Sequence, residues 1–125
     1  MEQQDYLMKQ IEAFGQVLGE LAAKLLGLKS PTKTIEICQK TFSEELDLDF
    51  NKLITIPTDD LIKFLKNEKR FSNANLRQIA DIFHILAEDL SKSQKATFNE
   101  KSIKIYEFID KKEKTFSFIK HRFNS

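Results

Sequence analysis

The chain has 125 residues, of which 41% are hydrophobic and 31% are charged, and its formal net charge is +1. This length holds one domain, residues 1–125, and the composition excludes a disordered chain. With only three Gly and two Pro, a many-stranded β protein is excluded as well, because such a protein needs many turns. We therefore predict a single all-α domain.

The small net charge conceals an uneven distribution along the chain. Residues 92–125 hold 9 basic and 4 acidic side chains, whereas residues 1–91 hold 11 basic and 15 acidic ones. The C-terminal quarter is therefore a basic segment on a mildly acidic body.

The sequence predicts a cytoplasmic protein without a membrane segment. Its first residues, Met-Glu-Gln-Gln-Asp, are acidic where a secretory signal is basic, and no apolar signal core follows. The longest apolar stretch, Ile11–Leu28, is interrupted by Glu12, Glu20 and Lys24, so it does not read as a membrane span. The single Cys38 fits a reducing compartment.

The first predicted helix carries the clearest apolar periodicity of the chain. Its apolar residues recur at alternating spacings of four and three, which places them on one face. Asp5 is predicted near its start and Gly27 at its end, while Gly15 and Gly19, one turn apart, favour close approach of a neighbouring backbone. The apolar face consists of Leu7, Ile11, Phe14, Leu18, Leu21, Leu25 and Leu28.

Ser30 and Pro31 predict the start of a second helix, which continues from Thr34 to Leu46. Because the link from the first helix is short, we expect the two helices to form an antiparallel hairpin. Residues 47–57 carry the weakest pattern, with a short helical turn around Phe50 and a break at Pro57. The predicted inward face of the second helix is Ile35, Cys38, Phe42 and Leu46.

The second half of the chain predicts further helices. Thr58 is predicted to cap one of them, residues 71–73 form a loop, and a strongly amphipathic helix begins near Asn75. A polar joint at residues 91–94 leads to a last helix, in which the pattern allows an interruption at residues 111–114. This makes a short antiparallel array of five to six helices. The last helix has the predicted inward face Ile103, Tyr106, Ile109, Phe116, Ile119 and Phe123.

Two stretches resemble tetratricopeptide-type helical hairpins. In the second of them, Ser102, Tyr106 and Ile109 match the second helix of a repeat, and Phe83 and Ala87 match the helix before it if the joint holds about three extra residues. The usual Trp, Gly and closing Pro of the repeat are missing from both stretches. The matching positions of the first stretch are Leu18, Leu21, Ala22, Leu25, Thr34, Cys38 and Thr41.

The opening of the chain is similar to a family of uncharacterised bacterial proteins. That family begins with Asp-Tyr-x-Met-x-x-Ile and continues into tetratricopeptide-like helices, and this chain reads Asp-Tyr-Leu-Met-Lys-Gln-Ile-Glu over residues 5–12 and Leu-Leu-Gly-Leu over residues 25–28. Members of the family have no assigned activity. The resemblance implies a tetratricopeptide-like array and a bacterial origin, and it implies nothing about chemistry.

No residue pattern in the sequence predicts a catalytic, cofactor-binding or metal-binding site. There is no phosphate loop, dinucleotide fingerprint, nucleophile elbow or paired-Cys spacing. His84 and Glu88 have the spacing of two metal ligands, but no second His or Cys lies nearby in sequence to complete a set, so we interpret them as an exposed pair. Cys38 lies on an apolar helix face and is predicted to be a buried, unreactive thiol.

The adjacent carboxylates Asp59 and Asp60, and likewise Glu44 and Glu45, do not predict acid catalysis. Neighbouring residues of a helix point about 100° apart, so neither pair converges on one substrate atom. We interpret the first pair as acids that suit a helix start and the second as part of a solvated face.

Two short segments are candidate partner-binding sites. Tyr6 and Met8 flank Leu7 before the part of the first helix that the second helix can cover, so this end is predicted to meet a protein partner or another copy in a homodimer. Lys120 and Arg122 alternate with aromatic residues, as in single-strand binders. The same cations also suit a solvated helix end, where they complement the helix dipole.

We predict a non-enzymatic protein–protein interaction or adaptor module that binds a partner in a tetratricopeptide-like groove. The alternative is a nucleic-acid-associated protein that uses the basic C-terminal helix. A third hypothesis, an enzyme whose site assembles from scattered side chains, ranks below both. No cofactor is predicted.

Overall fold

A computed structural model describes the backbone of residues 2–28, 30–88 and 92–124, and the side chains of residues 5–28, 30, 32–88 and 94–113. Within these ranges the chain forms six helices and no strand. The prediction of an all-α array is confirmed. The helices are α1 (Glu2–Leu26), α2 (Pro31–Leu46), α3 (Phe50–Thr55), α4 (Thr58–Lys63), α5 (Asn73–Glu88) and α6 (Lys92–Asn124), and α4 continues directly into a π-helical segment (Phe64–Glu68).

The first two helices form the predicted hairpin, but α1 packs more extensively against α5 than against α2. Two side-chain amides of α5 define this contact: Asn75 donates to the carbonyl oxygen of Ile11 at 3.3 Å, and Gln78 donates to that of Gly15 at 2.9 Å. Because residue numbers rise together along both helices, α1 and α5 run parallel. The groups that come close to Gly15 are therefore the polar side chains of α5. The prediction that a neighbouring backbone approaches there is wrong.

The helices α5 and α6 form an antiparallel hairpin. The ring of Phe83 lies 5.4 Å from that of Phe98 near the link between them, and Arg77 pairs with Glu113 at 2.9 Å toward the far end. Residue numbers thus rise along one helix as they fall along the other. This makes α5 the central helix, with α1 and α6 as its two main neighbours.

The short helix α3, which carries the weakest sequence pattern, supplies the centre of the core. The ring of Phe50 lies 5.1 Å from that of Phe42, 6.4 Å from that of Phe83 and 6.3 Å from that of Phe98. Aromatic pairs at such distances stabilise a core beyond the area that they bury. One side chain therefore connects α2, α5 and α6.

The predicted inward face of α6 is wrong at Ile103, whose side chain is 54% exposed. Ser102 lies inward instead, and its hydroxyl donates to the carbonyl oxygen of Ala80 on α5 at 2.9 Å. The buried face is Phe98, Lys101, Ser102, Ile105 and Ile109. The remaining predicted core residues, Phe116, Ile119 and Phe123, lie outside the described side chains.

Some predicted helix ends also differ from those observed. The interruption allowed at residues 111–114 is wrong, because α6 is one continuous helix. Pro57, and not Thr58, precedes the first turn of α4, and Thr58 is buried. The loop predicted at residues 71–73 ends one residue earlier, because α5 begins at Asn73. Ser72 and Asn75 cap this helix reciprocally, since the backbone N–H of each donates to the side-chain oxygen of the other.

Candidate functional site

The apolar face of α1 is buried only over its C-terminal half. Leu18 and Leu25 are completely buried, whereas Leu7, Ile11 and Phe14 remain partly exposed. A helix that continues its apolar face beyond the body of its own protein offers that face to another molecule.

The register of α1 against α5 explains this difference. Because Asn75 contacts Ile11, the first turn of α5, which begins at Asn73, lies beside the third turn of α1. Helix α1 begins nine residues before Ile11, which corresponds to about 14 Å at 1.5 Å per residue. The first two turns of α1 therefore extend beyond the start of α5.

Tyr6 and Met8, the two residues predicted to bind a partner, lie on these projecting turns. Their side chains are 69% and 60% exposed, and between them Leu7 is half-buried. We call Tyr6, Leu7, Met8 and Ile11 the α1 end. The other two predicted residues, Lys120 and Arg122, lie outside the described side chains, although the backbone of α6 is helical through both.

A cleft of about 400 Å³ opens beside the α1 end, between α1, the last turn of α2 and the end of the π segment. Gln10 and Phe14 are its α1 residues, and Tyr6 lies one turn before Gln10. The charged residues that line it are Glu44, Glu45, Asp47, Glu68, Lys69 and Arg70, a formal balance of −2. We call this the acidic cleft.

The positive charge of Lys69 lies nearer to one carboxylate of the acidic cleft than to the others, because its ammonium is held beside Asp47. Its Nζ donates to the backbone oxygen of Asp47 at 3.0 Å, lies 3.7 Å from the carboxylate of the same residue, and lies 6.0 Å from the centre of the Phe64 ring. Glu44 and Glu45 are both exposed. Glu44 and Glu45, on the last turn of α2, therefore supply exposed negative charge that Lys69 does not contact.

Two lining residues, Asp47 and Arg70, have positive φ angles of 52° and 58°. Each follows a helical segment and lies just before the donor of a backbone hydrogen bond that joins residues six positions apart. At Asp47 this bond runs from the N–H of Leu48 to the carbonyl oxygen of Phe42, and at Arg70 it runs from the N–H of Phe71 to that of Leu65, both at 2.9 Å. Glycine usually occupies this position, since other residues lose about 1–2 kcal/mol in the left-handed region. Without glycine, the sequence carries no signal for either helix end.

A second cleft, of about 560 Å³, lies on the other side of the turn between α2 and α3. Its polar residues are engaged in the fold: Gln39 donates to Asn51 at 3.0 Å, and the carboxylate of Asp49 caps α3 by accepting from the N–H groups of Asn51 and Lys52. These groups stabilise α3 and do not converge on a ligand position. The larger cleft is therefore the weaker candidate site.

Two residues considered for chemistry lie where the sequence predicts, Cys38 in the core and His84 in an exposed pair with Glu88. Cys38 is completely buried, and burial raises the pKa of its thiol to about 12, which keeps it protonated and unreactive. His84 lies 3.6 Å from Glu88, and both side chains are exposed. Among the residues that the structure describes, no group of three His, Cys, Asp or Glu side chains is placed to hold a metal ion.

Among the groups of α6 with perturbed pKa values, two bind neighbouring elements, and the sequence did not suggest a functional role for either. Lys101 is 4% exposed and its ammonium donates to the carbonyl oxygen of Ile56 at the end of α3, while burial lowers its pKa. The Tyr106 hydroxyl donates to Asp81 on α5; burial, and then this hydrogen bond, raise its pKa to about 12. Both groups attach α6 to its neighbours, and neither lines the acidic cleft.

Comparison of the chain with protein-family models, with curated proteins and with solved structures finds no match. The resemblance to the bacterial family with the opening Asp-Tyr-x-Met-x-x-Ile therefore stays a prediction. In the described part of the chain, no helix has both the length and the apolar content that crossing a membrane requires.

Proposed function

We propose that this protein is a non-enzymatic protein–protein interaction module that binds its partner through the α1 end and the acidic cleft. The observation that carries the proposal is the division of the α1 face, which is fully buried at Leu18 and Leu25 but only partly buried at Leu7 and Ile11, with Tyr6 and Met8 exposed beside it. An exposed apolar patch with a polar rim is typical of a binding surface.

The residue types at the α1 end support this role. Tyr and Met are both enriched at protein interfaces, where Tyr combines a large apolar ring with a hydroxyl and Met adapts its shape to a partner. Tyr6 and Met8 are both exposed and lie on either side of the partly buried Leu7, since residues two apart on a helix point about 160° apart. The other exposed large apolar side chains of the described residues lie elsewhere, Leu26 at the other end of α1 and Ile103 on α6.

The parallel placement of α1 and α5 supports a tetratricopeptide-like reading of the array. In that reading α1 with α2 and α5 with α6 are two hairpins, and α3, α4 and the π segment are inserted between them. The proposed setting is the bacterial cytoplasm, which rests on the family resemblance and on the single cysteine.

The proposal is tested by affinity capture of the tagged protein from bacterial cytoplasm, with and without nuclease, followed by mass spectrometry. Partners bound through the α1 end survive nuclease and are lost from the double variant Tyr6→Ala/Met8→Ala. The matched control is Leu26→Ala, which removes an apolar side chain that is 70% exposed at the other end of the same helix. Equal capture by both variants would contradict the proposal.

The alternative, association with nucleic acid through α6, is favoured by one observation. The ammonium groups of Lys66 and Lys112 lie 5.6 Å and 5.8 Å from the ring centre of Phe108, so cations surround an aromatic ring on the basic helix. Under this alternative, the tagged protein captures nucleic acid, and its captured partners are lost on nuclease treatment or at high salt. The double variant Lys120→Ala/Arg122→Ala should capture less nucleic acid than the unaltered protein.

A further inference from the structure

Resting on the interaction surface proposed above, we propose that its occupant is a second copy of this chain, whose basic C-terminal tail binds the acidic cleft in a reciprocal dimer. The tail is residues 114–125. Its sequence holds the basic residues Lys114, Lys120 and Arg122, no acidic residue, and the apolar residues Phe116, Phe118, Ile119 and Phe123.

The register of α6 places the tail beyond the body of the protein. Glu113 pairs with Arg77, and α5 begins only four residues before Arg77, at Asn73. Helix α6 continues for eleven residues beyond Glu113, which is about 16 Å, whereas the part of α5 between Arg77 and its start at Asn73 is about 6 Å long. The last two turns or so of α6 therefore extend past the start of α5.

The α1 end and the tail extend from the same end of the molecule. Helix α1 runs parallel to α5 and α6 runs antiparallel to it, so the first turns of α1 and the last turns of α6 both lie beyond Asn73. Because α6 is one unbroken helix, its end does not bend back into the cleft of its own chain. Two copies that face each other at this end can exchange tails, which closes a two-fold symmetric dimer.

Charge complementarity favours the tail of a second copy, and not its α1 end, as the occupant of the acidic cleft. The acidic cleft has a formal balance of −2, and the neighbouring turns of α1 carry Asp5 and Glu12 against Lys9. An interface between two α1 ends would therefore bring like charges together, which is unfavourable. The tail instead brings three cations and four apolar side chains to an acidic cleft that contains the partly exposed ring of Phe14.

The first measurement is the mass of the full-length protein by sedimentation equilibrium over a range of concentrations. We expect twice the chain mass of 14.6 kDa, falling to the chain mass on dilution. The dimer should weaken as NaCl rises from about 50 mM to about 500 mM, because exposed charge pairs are screened by salt. A monomer at every concentration would overturn the dimer.

The decisive measurement is a charge exchange between cleft and tail. Glu44→Lys/Glu45→Lys and, separately, Lys120→Glu/Arg122→Glu should each reduce the mass to that of a monomer, and the combination of all four should restore the dimer. Restoration cannot result from damage to the fold. The matched controls are Glu36→Lys, exposed two turns earlier on α2, and Lys95→Glu, exposed at the far end of α6; both should remain dimeric.

Three results would overturn tail exchange: a dimer that tolerates either reversal, a fourfold variant that stays monomeric, or a dimer broken by Tyr6→Ala/Met8→Ala but not by reversal of the tail. The last result would leave the α1 end as an interaction surface with a different occupant. Failure of the proposed function is separate, since it requires that Tyr6→Ala/Met8→Ala change neither the mass nor the captured partners.

Discussion

The thiol of Cys38 shows how burial alone sets the chemistry of a side chain. It is completely buried on α2, and its pKa of about 12 lies above the ordinary value of 9.0 because the thiolate would have to leave water. The folded protein therefore binds a proton that the unfolded chain releases above pH 9. The stability that this group contributes is complete below pH 9 and is lost as the pH rises toward 12.

We expect the free energy of unfolding of the wild type to fall by about 1 kcal/mol between pH 8 and pH 10 through this group. In Cys38→Ala that part of the pH dependence should be absent, although the variant is less stable overall. Urea unfolding at the two pH values measures both. Ile35→Val, on the same face of α2, should keep the wild-type slope; equal slopes for Cys38→Ala and wild type would show that another group titrates.

Residue patterns predicted the burial of Cys38 but missed the acidic cleft, and the physical reasons differ. The thiol lies on an apolar face whose spacing is local, so a short stretch of sequence is enough. The cleft depends on Asp47 and Arg70, which adopt positive φ without being glycine, and on the meeting of α1 with a turn more than thirty residues away. Neither feature leaves a local pattern.

At the scale of the element, α1 contains two glycines in its interior, and the structure provides room for a larger residue at both. A Cβ at Gly19 would lie 3.7 Å from the side-chain nitrogen of Gln78, and one at Gly15 would lie 3.7 Å from Asn75 and Gln78. These are ordinary van der Waals distances. Alanine fits at either position without displacing α5.

Gly19→Ala should therefore stabilise the protein by about 0.5–1 kcal/mol, because glycine loses more backbone entropy in a helix than alanine does. Urea unfolding gives the change directly. The reverse substitution at an exposed position of the same helix, Ala23→Gly, should destabilise by a similar amount. A destabilised Gly19→Ala would mean that α1 and α5 approach more closely than these distances indicate.

The sequence predicted α1 and α5 well and α6 poorly, for a reason that lies in the elements themselves. In α1 and α5 the apolar residues at alternating spacings of three and four form one continuous face, so the buried side follows from spacing. Helix α6 has apolar residues on several faces, and its buried side includes Lys101 and Ser102. The partners of these two, the carbonyl oxygens of Ile56 and Ala80, lie on other elements, so they are not apparent from the sequence of α6.

At the scale of the whole molecule, the core is one connected unit because Phe50 joins three helices. Its ring contacts Phe42, Phe83 and Phe98, and its side chain is 1% exposed. A helix of only six residues thus holds the position on which the packing of the longer ones depends.

We expect Phe50→Ala to cost about 3–5 kcal/mol of the free energy of unfolding, since it leaves a cavity between three rings. Circular dichroism during urea unfolding should show one transition that shifts as a whole. Phe64→Ala, on the π segment where the ring is only partly buried, should cost less. A loss confined to one hairpin, with the other still folded, would contradict a single core.

The parallel contact between α1 and α5 also bears on how the chain is made. The residues that join these helices are 63 and 64 positions apart, so α1 leaves the ribosome well before its main neighbour exists. At translation rates of about 5–20 residues per second, that interval is about 3–13 seconds. In this interval α2 is present beside the apolar face of α1, and it covers only part of that face. The nascent chain therefore passes through a period in which that face is available to a chaperone, and a stall before residue 73 would prolong the exposure.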